Sequence, residues 1–299
     1  IAVDNGSTDN FAAKIEADSS IVLLKNSKNL GFAGGVNTGI RYAIKNDYAY
    51  VALINNDAKP EKKWLHHLVS TMEKSDSTGI VTGKLLRTNG MIDSTGDMYT
   101  SWGLAFPRAR DSKDNGEHDT VEDVFGASGG ASLYKVEMLE QIGLFDEDFF
   151  AYYEDVDISF RAQLTGWKVL YTPHAIAHHK VGESSKKVPG LTTHMTIKNL
   201  PWLFWKNVPL RLVPRMWPRF FVAHSAIIFS SLKSGAIIPV IKGVVEGRVF
   251  LPKKIIQRRH IQKNRTVSTG YINSIITHDL PPNAHKLRKL RSLLSFGRR

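Results

Sequence analysis

The sequence has no cysteine. Disulfides, thiolate catalysis and Cys-ligated zinc are therefore excluded, and a reducing compartment is compatible. It has no long apolar run either. Phe220 to Leu232 is mostly apolar over 13 residues, too short to span a bilayer. There is no repeat, no low-complexity tract and no signal-peptide pattern. No initiating Met is present; Ile1-Ala2-Val3 reads as a strand already under way, so an earlier strand is expected to be missing.

Acidic residues are scarce in one region only. Residues 1–200 hold 21 Lys/Arg against 26 Asp/Glu, whereas residues 201–299 hold 19 against 2. The formal net charge of +12 is thus a basic last third on a mildly acidic front. Such asymmetry points to a surface that meets phosphates of lipid or nucleic acid. With 299 residues and 42% apolar content, the chain can bury a sizeable core in one or two domains.

The front alternates short apolar strands with helical patterns. Ile1-Ala2-Val3 ends in Asp4-Asn5-Gly6-Ser7; Ile21-Val22-Leu23-Leu24 leads to a glycine-rich turn over 29–39 and then a helix; Tyr50 to Ile54 ends in Asn55-Asn56-Asp57. A helix follows over 61–74, with Trp64, Leu65, Leu68, Val69 and Met72 on one face. This order predicts an α/β fold with a mostly parallel central sheet flanked by helices, and ligands beyond the carboxyl ends of the strands. Residues 79–134 read as mixed, partly antiparallel structure with a loop at 107–120. Gly126 to Ser132 is rich in small residues, which permits close backbone approach.

Three carboxylates crowd Glu154-Asp155-Val156-Asp157 at the start of a helical pattern, after the aromatic run Phe149 to Tyr153. A helix dipole alone favours acids there, and Asp157 has an i,i+4 partner in Arg161. Beyond Pro201 the pattern is helical and basic. Trp202, Trp205, Trp217 and Phe220 beside Lys and Arg fit helices lying in a membrane interface, and equally fit core helices packed on the front. The stretches 253–265 and 286–299 read as solvated basic segments.

Taken together, Val3 to Asp9, Asn29 to Gly39, Asn55-Asn56-Asp57, Glu154 to Asp157 and His179 resemble the family 2 glycosyltransferases, in particular their bacterial rhamnosyltransferase-like branch. The resemblance covers roughly residues 1–185. It implies a GT-A fold and an inverting transfer of a sugar, rhamnose in that branch, from a dTDP- or UDP-linked donor to a hydroxyl of a glycan or lipid-linked acceptor in cell-envelope polysaccharide synthesis. It implies a glycosyltransferase domain over 1–200, with a nucleotide-binding part to about 80 and an acceptor part after it, and a helical basic extension over 201–299. Asp155 is the implied base, with Glu154 beside it. Asp57 and His179 are the implied ligands of Mn²⁺ or Mg²⁺, and His178 is left structural. Asp4, Asn5, Asn29, Gly31, Gly34, Gly35, Asn37 and Asn56 are the implied nucleotide contacts. The place implied is the cytoplasm, peripheral at the inner face of the cell membrane. Two departures stand out: the family's first strand is absent, and its paired metal carboxylates are reduced to Asp57.

Two other readings rest on single features. A nicotinamide-dependent oxidoreductase would use the glycines after the second strand, but Gly31-x-x-Gly34-Gly35 does not match the dinucleotide fingerprint. A nucleic-acid-binding module would use the basic end, which lacks a motif for it.

Overall fold

The apolar runs that end in Asn, Asp or Gly do form strands. The computed structural model describes residues 1–8, 11–16, 18–180, 188–282, 284 and 287–289. Asp9 and most of the basic stretch 286–299 lie outside the described residues. Strand β1 (Ala2–Asp4) pairs in parallel with β2 (Leu23–Lys25), and helix α1 (Phe11–Glu16) connects them. The main sheet has seven strands among the described residues. Its spine runs β3 (Tyr50–Ile54), β10 (Ala131–Lys135), β5 (Thr78–Arg87), β11 (Lys168–His179) and β4 (Ala58–Pro60). Strand β6 (Ile92–Ser94) joins β5, and β9 (Glu122–Asp123) joins β11. A hairpin of β7 (Asp97–Tyr99) and β8 (Ala105–Pro107) stands apart.

The sheet is mixed, where the sequence pattern predicts a mostly parallel one. Strands β3, β5 and β11 point the same way, and β5 pairs in parallel with β11. Strand β10 lies antiparallel between β3 and β5. A parallel return needs a crossover, usually a helix. Residues 88–130 supply none, so the chain comes back antiparallel.

Helices cover both faces of this sheet. Helix α2 (Gly31–Lys45), α4 (Val136–Ile142) and α5 (Glu154–Leu164) share one core with it, including Ile40, Met138, Leu139, Ile158 and Tyr171. On the other face α3 (Trp64–Met72) packs Trp64, Leu68 and Met72 against Val81, Leu133 and Ala175.

The last third folds as helices: α6 (Leu191–Asn207), α7 (Val213–Lys233), α8 (Ile237–Val249), α9 (Leu251–Lys263) and α10 (Thr269–Ile275). Helix α6 runs through position 200. Its Leu200, Trp202, Leu203 and Phe204 join Phe149, Val156, Phe160 and Leu164 of the front in one core. Trp202 and Phe220, two of the aromatics expected at a membrane interface, are buried here instead. The stretch 253–265 is not fully solvated either, since Lys254 is 0% exposed.

Lysine burial there has a partner-based cause. Lys254 Nζ donates to Asp146 and Asp148 at 2.7 Å each, and its charge lies over the Phe149 and Trp202 rings. Lys206 donates to Asp146 at 2.7 Å and Asp157 at 2.8 Å. Asp157 also receives Arg161 Nε at 2.9 Å, the expected i,i+4 pair, and Asn207 Nδ2 at 2.8 Å. Burial opposes charge on Asp146, yet Lys206 and Lys254 hold its carboxyl well below the usual range.

Removing one member of a buried pair strands the other, typically at a cost of about 3–5 kcal/mol. Lys254→Met is expected to lower unfolding free energy by roughly that amount in urea titrations at pH 7. Because the folded-state pKa of Asp146 is depressed, its contribution is complete above the unfolded value of about 3.9 and is lost as pH falls towards the folded value. Wild-type stability should therefore fall as pH drops below about 4, and less steeply in Asp146→Asn.

Candidate active site

The carboxyl ends of β1, β3 and β11 and the start of α5 carry most of the residues singled out in the sequence. Asp57 follows β3, and His179 closes β11. Their strands are brought together by the main sheet: β4 pairs His179 with Ala58, and Asp57 O accepts from Lys180 N at 2.9 Å. Asp57 Oδ1 lies 3.3 Å from His179 Nε2. On the other side of the ring, His179 Nδ1 lies 2.9 Å from Asp93 Oδ2. Asp93 is buried and also holds Arg87 and Arg110 at 3.2 and 3.1 Å. The hydrogen bond to Asp93 raises the His179 pKa, against burial and with help from Asp57. Neighbouring His178 faces the other way, to exposed Glu61.

Asp155 is the second residue of α5. Its Oδ2 accepts from Gly129 N at 3.0 Å and its Oδ1 from Val156 N at 2.9 Å. A Cβ on Gly129 would sit against the Phe32 ring and Asp155 itself, so the small-residue stretch is what lets the backbone reach this carboxylate. Burial pushes the Asp155 pKa up, while the two N–H groups and the charge of Arg110 pull it down. Glu154 is 5% exposed, and its Oε2 has no hydrogen-bond partner. Burial, then the Asp155 charge, push its pKa well above the ordinary value. Asp97, which the sequence did not single out, is buried close by and is shifted the same way for the same reasons. Two acids whose pKa values are pushed up thus lie beside Asp155, the carboxylate with N–H support. Arg110 joins the two groups of residues: its guanidinium grips Asp93, and its field reaches Asp155 and Asp97.

The turn that delivers α5 is strained. Phe150, Tyr152 and Tyr153 all have left-handed backbones, with φ of 65°, 66° and 71°. Such conformations cost about 1–3 kcal/mol each for bulky residues and persist only when neighbours impose them. Asn199, fully buried on α6, is one such neighbour. Its Nδ2 donates to the carbonyls of Phe149, Ala151 and Tyr152 at 3.0, 3.0 and 2.8 Å. Gly31 is another. It has φ +74°, and a Cβ there would collide with Phe150 O.

The glycine-rich stretch differs from its expected form. It is not a turn before a helix; α2 starts at Gly31 and contains Gly34, Gly35, Asn37 and Gly39. Tertiary contacts override the weak helix propensity of glycine. Gly35 packs on Asn5, and Gly34 on Leu30. Asn5 uses its whole amide within this motif: Nδ2 donates to Asn29 Oδ1 and Gly31 O, and Oδ1 accepts from Asn26 and Leu30 N. Asn29 caps Gly31 N at 2.8 Å. Asn37 is buried and bonds Phe145 through both its oxygen and its nitrogen, and Glu147 through the nitrogen. Asn5, Asn29 and Asn37 therefore shape the loops around the cleft. Asp4, at the end of β1, accepts from Ser7 N at 2.8 Å; hydrogen bonds from the Ser7 side chain and then its backbone lower the Asp4 pKa. Asn56 is exposed beside Asp57.

For a metal, Asp57 and His179 offer a carboxylate oxygen and a ring nitrogen at the spacing of two adjacent corners of an octahedron, about 3 Å for bonds near 2.1–2.2 Å. Asp93 on Nδ1 is the usual outer partner that orients a ligating imidazole. Among the described residues no group of three or more His, Asp or Glu side chains is arranged to hold an ion by itself.

Known proteins are similar to parts of this chain. The family model for glycosyl transferase family 2 matches residues 1–143. The low-salt glycan biosynthesis hexosyltransferase Agl10 of Haloferax volcanii is 28% identical over 171 residues, which cover 54% of this chain and 52% of that protein. The poly-beta-1,6-N-acetyl-D-glucosamine synthase of Staphylococcus aureus is 24% identical over 188 residues, covering 62% and 43%. The chain thus spans about half the length of the curated relatives it matches or less. In fold it is similar to GalNAc-T7, solved with UDP, GalNAc and Mn²⁺, at a TM-score of 0.52 and 15% identity, over 67% of this chain and 40% of that one. It is also similar to S. aureus TarS residues 1–349 in complex with UDP, at 0.51 and 13%, over 87% and 80%. Residues 1–143 thus match glycosyl transferase family 2, and the chain has the GT-A fold of these glycosyltransferase structures. These similarities support neither the nicotinamide nor the nucleic-acid reading of the sequence.

Proposed function

We propose that the chain is an inverting glycosyltransferase that moves a sugar from a nucleoside-diphosphate donor to a hydroxyl of a glycan or lipid-linked acceptor, with Asp155 as the general base. The observation that carries this reading is the Asp155 carboxylate. It is held at the start of a helix by two N–H groups, is crowded by two acids whose pKa values are pushed up, and is joined through Arg110 to the Asp93–His179–Asp57 chain. A base needs a pKa lifted towards the working pH, and burial supplies the lift. Asp155 would accept the proton of the acceptor hydroxyl as its oxygen attacks the anomeric carbon. The diphosphate leaves from the opposite face, so the configuration inverts. Asp57 and His179 Nε2 would hold Mn²⁺ or Mg²⁺; the imidazole favours Mn²⁺. When bound, that ion neutralises charge on the leaving diphosphate. Asp93 keeps Nε2 turned towards Asp57, and Arg110 adds positive charge between the two halves of the site. Asp4 and Asn56 face the nucleotide, while Asn5, Asn29 and Asn37 act on it through the loops they hold. A UDP- or dTDP-linked donor, and rhamnose as its sugar, follow from the resemblance of the motifs.

Docking on an anionic membrane surface, at the inner face of the cell membrane, is the second part of the reading. Among the described residues no helix is long and apolar enough to cross a membrane. Helix α8 nevertheless exposes Ile237, Ile241, Val245 and Val249, every fourth residue, together with Ile238, which is 68% exposed. Phe221, Phe229 and Leu232 of α7 are also exposed, and Arg215, Lys233, Lys242 and Arg248 lie exposed on the same two helices. Apolar residues beside basic ones favour a helix pair lying in an anionic interface.

Three outcomes are expected. Asp155→Asn should fold normally and lose at least ~10²-fold in turnover. A working base must be deprotonated, so wild-type kcat/KM should fall as pH drops through a raised pKa, placing the acid limb above the ordinary carboxylate value of about 3.9. Turnover near wild type in that variant would refute the assignment. Asp57→Ala and His179→Ala should each weaken Mn²⁺-dependent binding of UDP or dTDP in calorimetry, by about 10-fold or more, with metal-independent binding little changed. Equal losses with and without Mn²⁺ would separate these residues from the metal. In sedimentation, the full chain should bind vesicles containing anionic lipid and largely leave them at high salt, as charge attraction requires. Ile238→Asp with Ile241→Asp should reduce that binding.

A further inference from the structure

We propose that a cavity on the far part of the helical region is a binding site for a phosphate-bearing anion, separate from the candidate active site. The cavity measures about 620 Å³ and lies between α9, the segment that leads into α10, and the 3-10 turn Leu210–Leu212. Arg211, Arg258, Arg259 and Arg265 all line it, with Ser268 and Thr269 at one edge. Among the described residues none of these four arginines is in an ion pair. This contrasts with the buried lysines of the same region, which are matched to carboxylates.

The arrangement is costly without a ligand. Like charges in one cavity repel, and Arg258 is desolvated as well, so its pKa is lowered by burial and by Arg265. Arg258 donates Nη1 to Trp205 O at 2.9 Å, which fixes the guanidinium at the cavity wall. Arg265 is pre-positioned too, through Nη1 to Thr269 Oγ1 at 3.1 Å. The ligand chemistry follows from the donors. Planar guanidiniums pair with phosphate oxygens through two parallel hydrogen bonds, and four of them match more than one negative charge. With only Glu246 and Asp279 as acids beyond residue 200, little in the region competes for them. Glu246 is already placed on His194. A diphosphate group, free or as part of a lipid headgroup, fits both the volume and the charge.

The site is tested on the full chain by calorimetry with inorganic pyrophosphate in EDTA, which keeps divalent metal out of the active-site cleft. Saturable binding is expected. It should weaken at least 10-fold in Arg258→Gln/Arg265→Gln and also in Arg211→Gln/Arg259→Gln, and stay unchanged in Asp57→Ala. Arg211 and Arg259 are exposed, so the second pair tests the site even if the first fails to fold. Lipid and soluble sources are told apart with phosphatidylcholine vesicles carrying phosphatidic acid or phosphatidylglycerol at equal surface charge. A lipid headgroup source predicts a preference for phosphatidic acid that Arg211→Gln/Arg259→Gln abolishes. A soluble source predicts no such preference alongside arginine-dependent pyrophosphate binding. No pyrophosphate binding, or binding that Asp57→Ala removes and the arginine variants leave intact, overturns the proposal.

Discussion

The position of the candidate base depends on one buried network: Asp146, Asp148 and Asp157 neutralised by Lys206, Lys254 and Arg161. The acids come from the turn before α5 and from α5 itself; the lysines come from α6 and α9. Remove the lysines and Asp146 would be buried without a cation while Asp157 kept only Arg161, which is far more costly than the pairs are favourable. The network therefore acts less as added stability than as a condition on geometry. The chain can bury the 146–157 segment only with the C-terminal helices docked. Asn199, about two helical turns before Lys206, then clamps the left-handed Phe150–Tyr153 turn that aims Asp155.

Three acids at the start of α5, with Asp97 of β7 buried beside them, are thereby spread apart in pKa. Asp157 is held low by Lys206 and Arg161 despite its burial. Among the described residues Glu154 and Asp97 have no cation at hydrogen-bonding distance, and burial raises the pKa of both. Asp155 lies between these extremes, with burial raising it and backbone N–H groups lowering it. Separating neighbouring pKa values in this way is how one small site can hold a single titrating carboxylate.

How much of this was legible in the sequence varies by element. The strand ends at Asp4 and Asp57, the helix behind Glu154, and the Asp157–Arg161 pair follow from local patterns, because their causes lie within a few residues. The Asp57–His179 pair was reachable only through resemblance, since 122 positions separate the two residues along the chain. The glycine-rich stretch was misjudged as a turn because its helix is stabilised from outside, by Asn5 and the Phe145–Phe150 loop. The buried Lys206 and Lys254 were invisible for the same reason. A lysine beside tryptophan looks the same whether it borders a bilayer or faces an aspartate 49 or 108 residues away. Asp93, Asp97 and Arg110 come from a stretch without a motif, and only the sheet's mixed topology brings them to the site.

The network also changes what the charge asymmetry means. Counted along the chain, the last third is strongly basic and the front acidic, as if two poles were presented to solvent. Lys206, Lys253 and Lys254 are spent internally on Asp146, Asp148 and Asp157 of the front. Part of the asymmetry is thus the attraction that docks the two regions. What remains outward is divided between two places with different chemistry. Arg215, Lys233, Lys242 and Arg248 accompany exposed apolar residues on α7 and α8, where about 1 kcal/mol each near an anionic surface would add to insertion of the α8 face. The four arginines of the cavity instead line one open hollow, where a discrete anion would gain from all of them at once. A diffuse field and a shaped site respond differently to salt, because screening weakens interactions across solvent more than direct contacts. Under the two proposals the basic regions would act independently, one on a surface and the other on a molecule.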